Sequence, residues 1–337
     1  KANAMGRWKH RAANRLSTGR SGYTRSDRPR GQGALTRRRF FAMAAAGVGC
    51  AGLARPWACA GEPQAQAAAK QVIVGAHPWV YAATQPGHDI TPVLDAIFAD
   101  MSYAGMEGIE LMHTALRPND APQRIAALAA KHRLPVIGTS FGGNMWDRKQ
   151  HQAILEDAEV VIPRLAKLGG KTLGTSVGAA RGIKTPEQLD SQAELLRKII
   201  AICDAHGVVL NLHNHTYEVE NGLHDLKGTL QRVPGVKLGP DLNWLVRGGV
   251  DPVGFIQAYR DRLVFLHLRD QKADGTWSEA MGEGDMDYAA IGKALKEVGF
   301  AGHAVIELAH PAGFKPTRPL RESLKISREF VRKTLGY

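Results

Sequence analysis

The stretch VVLNLHNH, residues 208–215, decides the fold of this chain. It is a short apolar run that ends on polar side chains, which is typical of a buried β-strand whose last residues reach a functional surface. The same pattern returns in three later stretches, VKLGPDLNW (236–244), LVFLHLRD (263–270) and HAVIELAH (303–310). A spacing of about 25 to 40 residues suits successive strand–helix units, and a parallel barrel gathers the carboxyl ends of its strands at one mouth. The sequence therefore predicts one metal site built from four strand ends, namely His213, Asp241, His267 and Glu307.

Short β-branched runs alternate with amphipathic segments over the whole chain after residue 70, which favours βα units around a parallel sheet. Eight strands are predicted near residues 71–76, 108–112, 135–140, 171–176, 207–213, 236–241, 263–268 and 303–308. The segment after the fourth strand carries complete helix signals, with Thr185 as N-cap, Pro186 at the first position, Gln188 closing a capping box and Gly207 at the end. We therefore predict that residues 71–337 form one α/β domain, a (β/α)8 TIM barrel.

The positive charge of the chain is confined to its first part. The formal net charge is +12, but residues 1–60 hold 13 Lys/Arg and a single acid, Asp27. The remainder carries 31 residues of each sign and is formally neutral. Because affinity for a phosphate backbone demands a surplus of Lys/Arg on the binding body, we expect no nucleic-acid partner.

Residues 1–60 read as a basic, disordered arm that leads into an export signal. The motif TRRRFF, residues 36–41, precedes the apolar run FAMAAAGVGCAGLA and the small-residue ending WACA, which is the order of a cleaved secretory signal. The run has 14 residues, short of the roughly 20 that a membrane helix needs, so we expect removal after Ala60 and no stable membrane anchor. TRRRFF resembles a twin-arginine signal, which implies a periplasmic or secreted protein. A basic arm without export is the alternative, and residues 61–70 form a short linker in either case.

From about residue 70 to its end, the chain carries motifs of a known family. They are HNHTYE (213–218), DLNW (241–244), GGVDP (248–252), HLRD (267–270), GEGDMDY (282–288) and VIEL (305–308). In their order and spacing they resemble the sugar phosphate isomerase/epimerase family with its xylose-isomerase-like TIM barrel. The resemblance implies one divalent ion at the ends of strands five to eight, with Asp241, His267 and Glu307 matching the family's ligands. His213 stands where many members have a glutamate, as in an HNH-containing branch of the family.

The histidine at position 213 changes the charge of the predicted site. Two neutral imidazoles, one Asp and one Glu around a dication make a formally neutral set, which polarises a bound carbonyl more strongly than a set with a third carboxylate. The mixed nitrogen and oxygen donors favour Mn, Zn, Fe or Co over Ca or a copper centre. His213 also replaces one of the two carboxylates that serve related epimerases as acid and base. We therefore predict that His215 is a ligand, a supporting hydrogen-bond donor or a proton-transfer residue.

The remaining predicted site residues surround this metal. His77, Asn144 and Trp244 follow three different strands and are predicted to contact a sugar, because sugar sites combine aromatic faces with polar groups. Glu110 on strand two is assigned to substrate or to the support of a ligand, since an unpaired buried carboxylate would be costly. Glu218 and Asp270, two loop carboxylates, are predicted to bind substrate or to support a ligand. The alternative for Glu218 is a solvated loop position, and the alternative for Asp270 is a helix N-cap.

The predicted chemistry is proton removal beside the carbonyl of a keto- or aldo-sugar, through an enediolate, by an isomerase or epimerase. Glu307 is the predicted base, with His213 and His215 as further catalytic residues. The alternatives are a metal-dependent lyase or hydratase on 3-keto-glycosides, an endonuclease IV-like phosphodiesterase and a non-catalytic sugar-binding protein. The expected partner is a small sugar or glycoside, and homo-oligomerisation is left open.

Overall fold

The computed structural model describes residues 72–311 and 313–337. Within them, eight strands are formed: β1 (Ile73–Ala76), β2 (Gly108–Met112), β3 (Val136–Gly142), β4 (Thr172–Ser176), β5 (Val209–Leu212), β6 (Lys237–Leu238), β7 (Phe265–Leu268) and β8 (His303–Ile306). Each overlaps its predicted range. All neighbouring strands run parallel, in the order β6-β5-β4-β3-β2-β1-β8-β7. The predicted basic arm, export signal and linker, residues 1–70, lie outside the described residues.

The two outer strands of this order, β6 and β7, close the sheet into a barrel. They are joined by isolated parallel bridges, one of which pairs Asp241 with His267. β6 has only 2 residues, because Pro240 follows shortly after it and a proline offers no N–H to the strand ladder. The predicted (β/α)8 barrel is confirmed, and the bridge sets two predicted ligands side by side at its mouth.

The described α-helices surround the barrel. They are α1 (Trp79–Ala82), α2 (Leu94–Tyr103), α3 (Ala121–His132), α4 (His151–Lys167), α5 (Pro186–Ala205), α6 (Thr216–Arg232), α7 (Leu242–Arg247), α8 (Pro252–Tyr259), α9 (Tyr288–Glu297) and α10 (Leu320–Leu335). The predicted capping box at α5 is confirmed, since Thr185 Oγ1 accepts from Gln188 N at 3.3 Å and Gln188 Oε1 accepts from Thr185 N at 2.9 Å. Gly207 ends this segment with a φ of 65°, a value that favours glycine.

Helix α6 is interrupted soon after it begins. Asn221, Gly222 and Leu223 have φ values of 53°, 68° and 66°, so the chain makes a left-handed turn before the helix resumes. A leucine at positive φ is a true outlier, because its side chain crowds the following carbonyl. The Asn221-Gly222 pair is a turn signal in the sequence, and the break falls on it.

The core lies between the strands and the helix ring, and a smaller apolar cluster of Ile137, Phe265 and Val305 packs separately. Gly108 is required beside it, since a Cβ there would lie 2.4 Å from Ile137 Cγ2. Cys203 is a free, fully buried thiol in the core. In the part of the chain that the structure describes, no helix is long and apolar enough to cross a membrane.

Candidate metal centre

Asp241 presents one carboxylate oxygen to the barrel mouth and uses the other to begin a helix. Its Oδ1 accepts hydrogen bonds from Asn243 N at 2.9 Å and Trp244 N at 3.0 Å, which makes Asp241 the N-cap of α7. The backbone of Asp241 is fixed in turn by Asn214, whose Oδ1 accepts from Asp241 N at 3.2 Å. The residue is fully buried. Its Oδ2 is therefore held in one direction.

His267 is oriented by a carboxylate from the opposite side of the barrel. Its Nε2 lies 2.5 Å from Oε2 of Glu110, and the two side chains are 3% and 0% exposed. With Nε2 donating to that carboxylate, the lone pair of a neutral ring lies on Nδ1, which faces His213 Nδ1 at 3.0 Å. The structure thus places Glu110 in the barrel interior, in contact with the predicted ligand His267.

Glu307 completes the cluster from the end of β8. Its Oε2 lies 3.3 Å from His267 Nδ1 and 2.7 Å from Arg269 Nη2. Its Oε1 lies 3.4 Å from Nδ1 of His77, whose Nε2 contacts Ser140 Oγ at 3.0 Å. His77, predicted as a sugar contact, therefore stands directly beside Glu307 at this mouth.

The donor set fits a divalent ion. His213, Asp241 and His267 each offer a ligand atom, and these atoms all lie within 4.8 Å of one another. Among the described residues, Asp241 Oδ2 and Glu307 Oε2 are buried without a hydrogen-bond partner, and both face Arg269 Nη2 at ion-pair distance. Buried carboxylate oxygens are costly without a cation, and here one guanidinium supplies a single positive charge for two carboxylates. The two imidazole nitrogens and the Asp241 oxygen make a mixed set that suits Zn, Mn, Fe or Co. The fourth predicted ligand, Glu307, lies outside this group, with its Oε2 3.3 Å from His267 Nδ1.

The charge states of the cluster follow from its burial and its close contacts. Burial, together with the neighbouring His267, holds the pKa of His213 well below its usual value, which keeps its ring neutral. Burial would also lower the pKa of His267, but the carboxylates of Glu110 and Glu307 outweigh it and raise that pKa to about 9. Burial raises the pKa of Glu307, whereas Arg269 and His267 more than reverse this and hold it well below its usual range. Glu307 is consequently ionised.

His215 lies at the edge of the cluster, where it faces the mouth. Its ring centroid is 4.9 Å from that of His213 and 5.6 Å from that of Trp244. Its Nδ1 lies 3.0 Å from the Tyr217 hydroxyl, and its side chain is 35% exposed. Burial lowers the pKa of His215, but the hydrogen-bonded Glu218 carboxylate outweighs burial and raises it above the usual value. His215 is thus a partly accessible, titratable group beside a predicted ligand.

Two further predicted carboxylates, Glu218 and Asp270, accept hydrogen bonds from backbone groups. Glu218 accepts from His215 N at 2.6 Å and from Val177 N at 3.2 Å, so it anchors the start of α6 to the preceding loop. Asp270 accepts from Gly282 N at 2.9 Å and Gly284 N at 3.0 Å, so it folds the loop after β7. The orienting partner of His267 is Glu110, and Asp270 does not serve that purpose. Asn144 packs against Gly178 of the next loop, where an added Cβ would meet Asn144 Oδ1 at 2.5 Å.

Two residues of the site were missed by the sequence reasoning. Arg269 is 3% exposed and contacts both Asp241 and Glu307. Its position two residues after His267 was a usable signal, because such residues share one face of a strand. Asn214, between the two histidines of HNH, was not singled out either, and its bond to the backbone of Asp241 has no local signal.

Comparisons with known proteins place this geometry in context. The sequence matches the family model described as xylose isomerase-like TIM barrel over residues 98–332. No curated protein matches it significantly. An L-ribulose 3-epimerase structure superposes with a TM-score of 0.63 at 20% identity, covering 79% of this chain and 95% of that one. A D-allulose 3-epimerase from Methylomonas sp. in complex with D-allulose gives 0.63 at 18% identity, covering 79% and 98%. A 3-keto-D-glucoside 4-epimerase from E. coli gives 0.60 at 18% identity, covering 77% and 100%.

Proposed function

The chain belongs to the xylose isomerase-like TIM barrel family, and from that premise we propose that it is a divalent-metal-dependent isomerase or epimerase of a keto- or aldo-sugar. The observation that carries the proposal is that ligand atoms of His213, Asp241 and His267 lie within 4.8 Å of one another at the barrel mouth, with Glu307 Oε2 beside them, 3.3 Å from His267 Nδ1. The similar structures are named as epimerases of ribulose, allulose and a 3-keto-glucoside, which supports a sugar as the substrate class.

A bound ion would supply Lewis-acid polarisation of the sugar carbonyl. We propose that the four converging side chains hold it and that it is Mn, Zn, Fe or Co. Glu110 serves as the partner that orients His267, since its Oε2 engages the far nitrogen of that ring. Asp241 is held by its role as a helix cap, so neither of these ligands needs to reorganise when an ion binds.

Glu307 and His215 are the proposed proton-transfer residues. Glu307 is ionised because Arg269 and His267 hold its pKa low, so one of its oxygens can accept a proton from carbon. His215 Nδ1 is engaged by Tyr217, which leaves Nε2 as the nitrogen directed to substrate. Glu307 and His215 would take the place of the two carboxylates that act as acid and base in related epimerases, one of which is replaced here by His213. One group would remove a proton and the other would return a proton on the opposite face.

The substrate is proposed to be a free sugar or glycoside without a phosphate. The twin-arginine-like motif at residues 36–41 supports export, and phosphorylated sugars are chiefly cytoplasmic. His77 beside Glu307 and Trp244 beside His215 would then flank the ring, with the indole face covering its C–H patches.

The test is deuterium exchange in D2O with protein loaded with one divalent ion at a time, followed by NMR. The panel holds free aldoses, ketoses and 3-keto-glycosides. Metal-dependent deuterium incorporation beside a carbonyl is expected, and the accompanying product separates an epimer, a positional isomer or a released aglycone, the last of which would identify a lyase. Glu307→Gln is expected to abolish exchange while part of the metal remains bound.

Two results would count against this function. An unchanged exchange rate in Glu307→Gln would exclude that residue as the base. Absence of exchange on every sugar, with the ion bound, would point to hydrolysis or to a sugar-binding protein instead.

A further inference from the structure

Arg269 is a buried cation whose backbone is fixed at the site. The Tyr288 hydroxyl accepts from Arg269 N at 3.1 Å and donates to Arg269 O at 2.8 Å, and Tyr288 is 1% exposed. Both main-chain groups of Arg269 are thereby tied to the start of α9. Its side chain is directed towards the ligand cluster, where it contacts Glu307 and Asp241.

The guanidinium contacts one oxygen of each of the two predicted carboxylate ligands. Arg269 Nη2 lies 2.7 Å from Glu307 Oε2 and 3.3 Å from Asp241 Oδ2. Its Nε is buried without a hydrogen-bond partner in residues 72–311 and 313–337. The group is therefore held chiefly by the charge of two carboxylates and less by a full set of hydrogen bonds.

A second arginine shares the surroundings of Arg269 but not its ionic contacts. The guanidinium carbon of Arg269 lies 5.5 Å from the Trp244 ring and 5.3 Å from the Trp277 ring, and that of Arg247 lies 5.4 and 4.4 Å from the same rings. Arg247 donates to Asn243 Oδ1 at 3.2 Å and to a backbone carbonyl. Within the described chain it forms no ion pair with a carboxylate, which makes it a matched control.

We propose that Arg269 shares Asp241 and Glu307 with the divalent ion, that it stabilises the metal-free protein, and that it weakens ion binding enough to make the ion exchangeable. The inference rests on the proposed metal-dependent function. Without Arg269, two buried carboxylates would face each other unpaired, and an ion that binds there would relieve their repulsion. With Arg269 present, that repulsion is already relieved and the incoming dication meets a like charge. Both effects lower the affinity for the ion.

The test is a titration of purified, EDTA-treated protein with Mn²⁺, followed by EPR of the free ion, together with thermal melts in EDTA. Arg269→Met is expected to bind Mn²⁺ at least tenfold more tightly than wild type and to melt roughly 10 °C lower when metal-free. Saturating Mn²⁺ should return most of that loss. Arg269→Lys, which keeps the charge, should lie closer to wild type in both measurements, and Arg247→Met should change the Mn²⁺ dissociation constant by less than about threefold.

The outcomes separate this inference from the function on which it rests. Weaker or unchanged Mn²⁺ binding in Arg269→Met, with wild type binding normally, would overturn the role of Arg269 and leave the metal site intact. Absence of Mn²⁺ binding in wild type as well would overturn the metal site and this inference together. If Arg269→Met does not fold, Arg269→Gln replaces it in the same titration, and affinity equal to that of Arg269→Lys would contradict a charge effect.

Discussion

The contact between Glu110 and His267 gives the sharpest prediction, because it joins residues 157 positions apart through one buried pair. Replacing Glu110 with Gln keeps the size of the side chain and removes its charge. His267 then loses the carboxylate that makes its ring more basic and fixes which nitrogen carries the proton. We expect weaker binding of Zn²⁺ or Mn²⁺ because Nδ1 becomes a poorer ligand.

The size of the effect follows from burial. Loss of such a supporting carboxylate costs about 10- to 100-fold in metal affinity, or about 1.4 to 2.8 kcal/mol. Glu110 and His267 are 0% and 2% exposed and their contact is 2.5 Å, so water does not screen it. Since loss of Glu110 also lowers the pKa of His267 and so eases displacement of its proton by the ion, we expect the lower end of the range, about 10-fold.

The assay is isothermal titration of the metal-free protein with Zn²⁺. Glu279→Gln serves as the control, because Glu279 is also a buried carboxylate but accepts from Thr317, which lies in the loop before α10. The control is expected to bind Zn²⁺ like wild type. A dissociation constant within threefold of wild type for Glu110→Gln, in a protein that melts normally, would refute the reasoning.

Three further predictions follow from the contacts and charges of named residues. Since the pKa of His267 is raised to about 9, the ion must displace its Nδ1 proton below that pH. The affinity for the ion should then rise with pH up to about 9, and binding below that pH should release about one proton. Titration calorimetry in buffers of different ionisation enthalpy measures this proton, and binding without proton release would contradict the prediction. Lys184→Met should lower the free energy of unfolding by about 3 to 5 kcal/mol in urea melts, because it leaves the buried Asp225 carboxylate, 2.6 Å from Lys184 Nζ, without its cation. A loss below about 1 kcal/mol would show that the ion pair is no stronger than one at the surface. Gly239→Ala should lower the free energy of unfolding by about 1 to 3 kcal/mol, because the new Cβ would overlap the Asn211 amide. An unfolding free energy equal to that of wild type would contradict this and would mean that the Asn211 side chain can move away.

The strand ends could be predicted because each is encoded locally. An apolar run that stops at a histidine or a carboxylate marks both the strand and its last side chain, and the barrel then dictates where those side chains meet. The capping box at Thr185 is local in the same sense, and it was found for that reason.

The rest of the site depends on contacts that the local sequence does not record. Glu110 was predicted to bind substrate or to support a ligand, but its partner is defined only when the barrel brings it against His267. Asp270 belongs to a family-like motif, yet its partners are backbone N–H groups of its own loop, which only the folded loop defines. Arg269 lay within a quoted motif, but its pairing with Asp241 and Glu307 depends on three different strand ends.

The most direct test of the central claim is the metal content of the purified protein after incubation with Mn²⁺ or Zn²⁺ and extensive dialysis, determined by inductively coupled plasma mass spectrometry. With the ion present at equal free concentration on both sides of the membrane throughout dialysis, about one bound ion per chain is expected in wild type, and Asp241→Ala and His267→Ala should each lose most of it because both ligand atoms are buried in the cluster. Near-full occupancy in both variants, with the fold intact, would contradict a site formed by these strand ends.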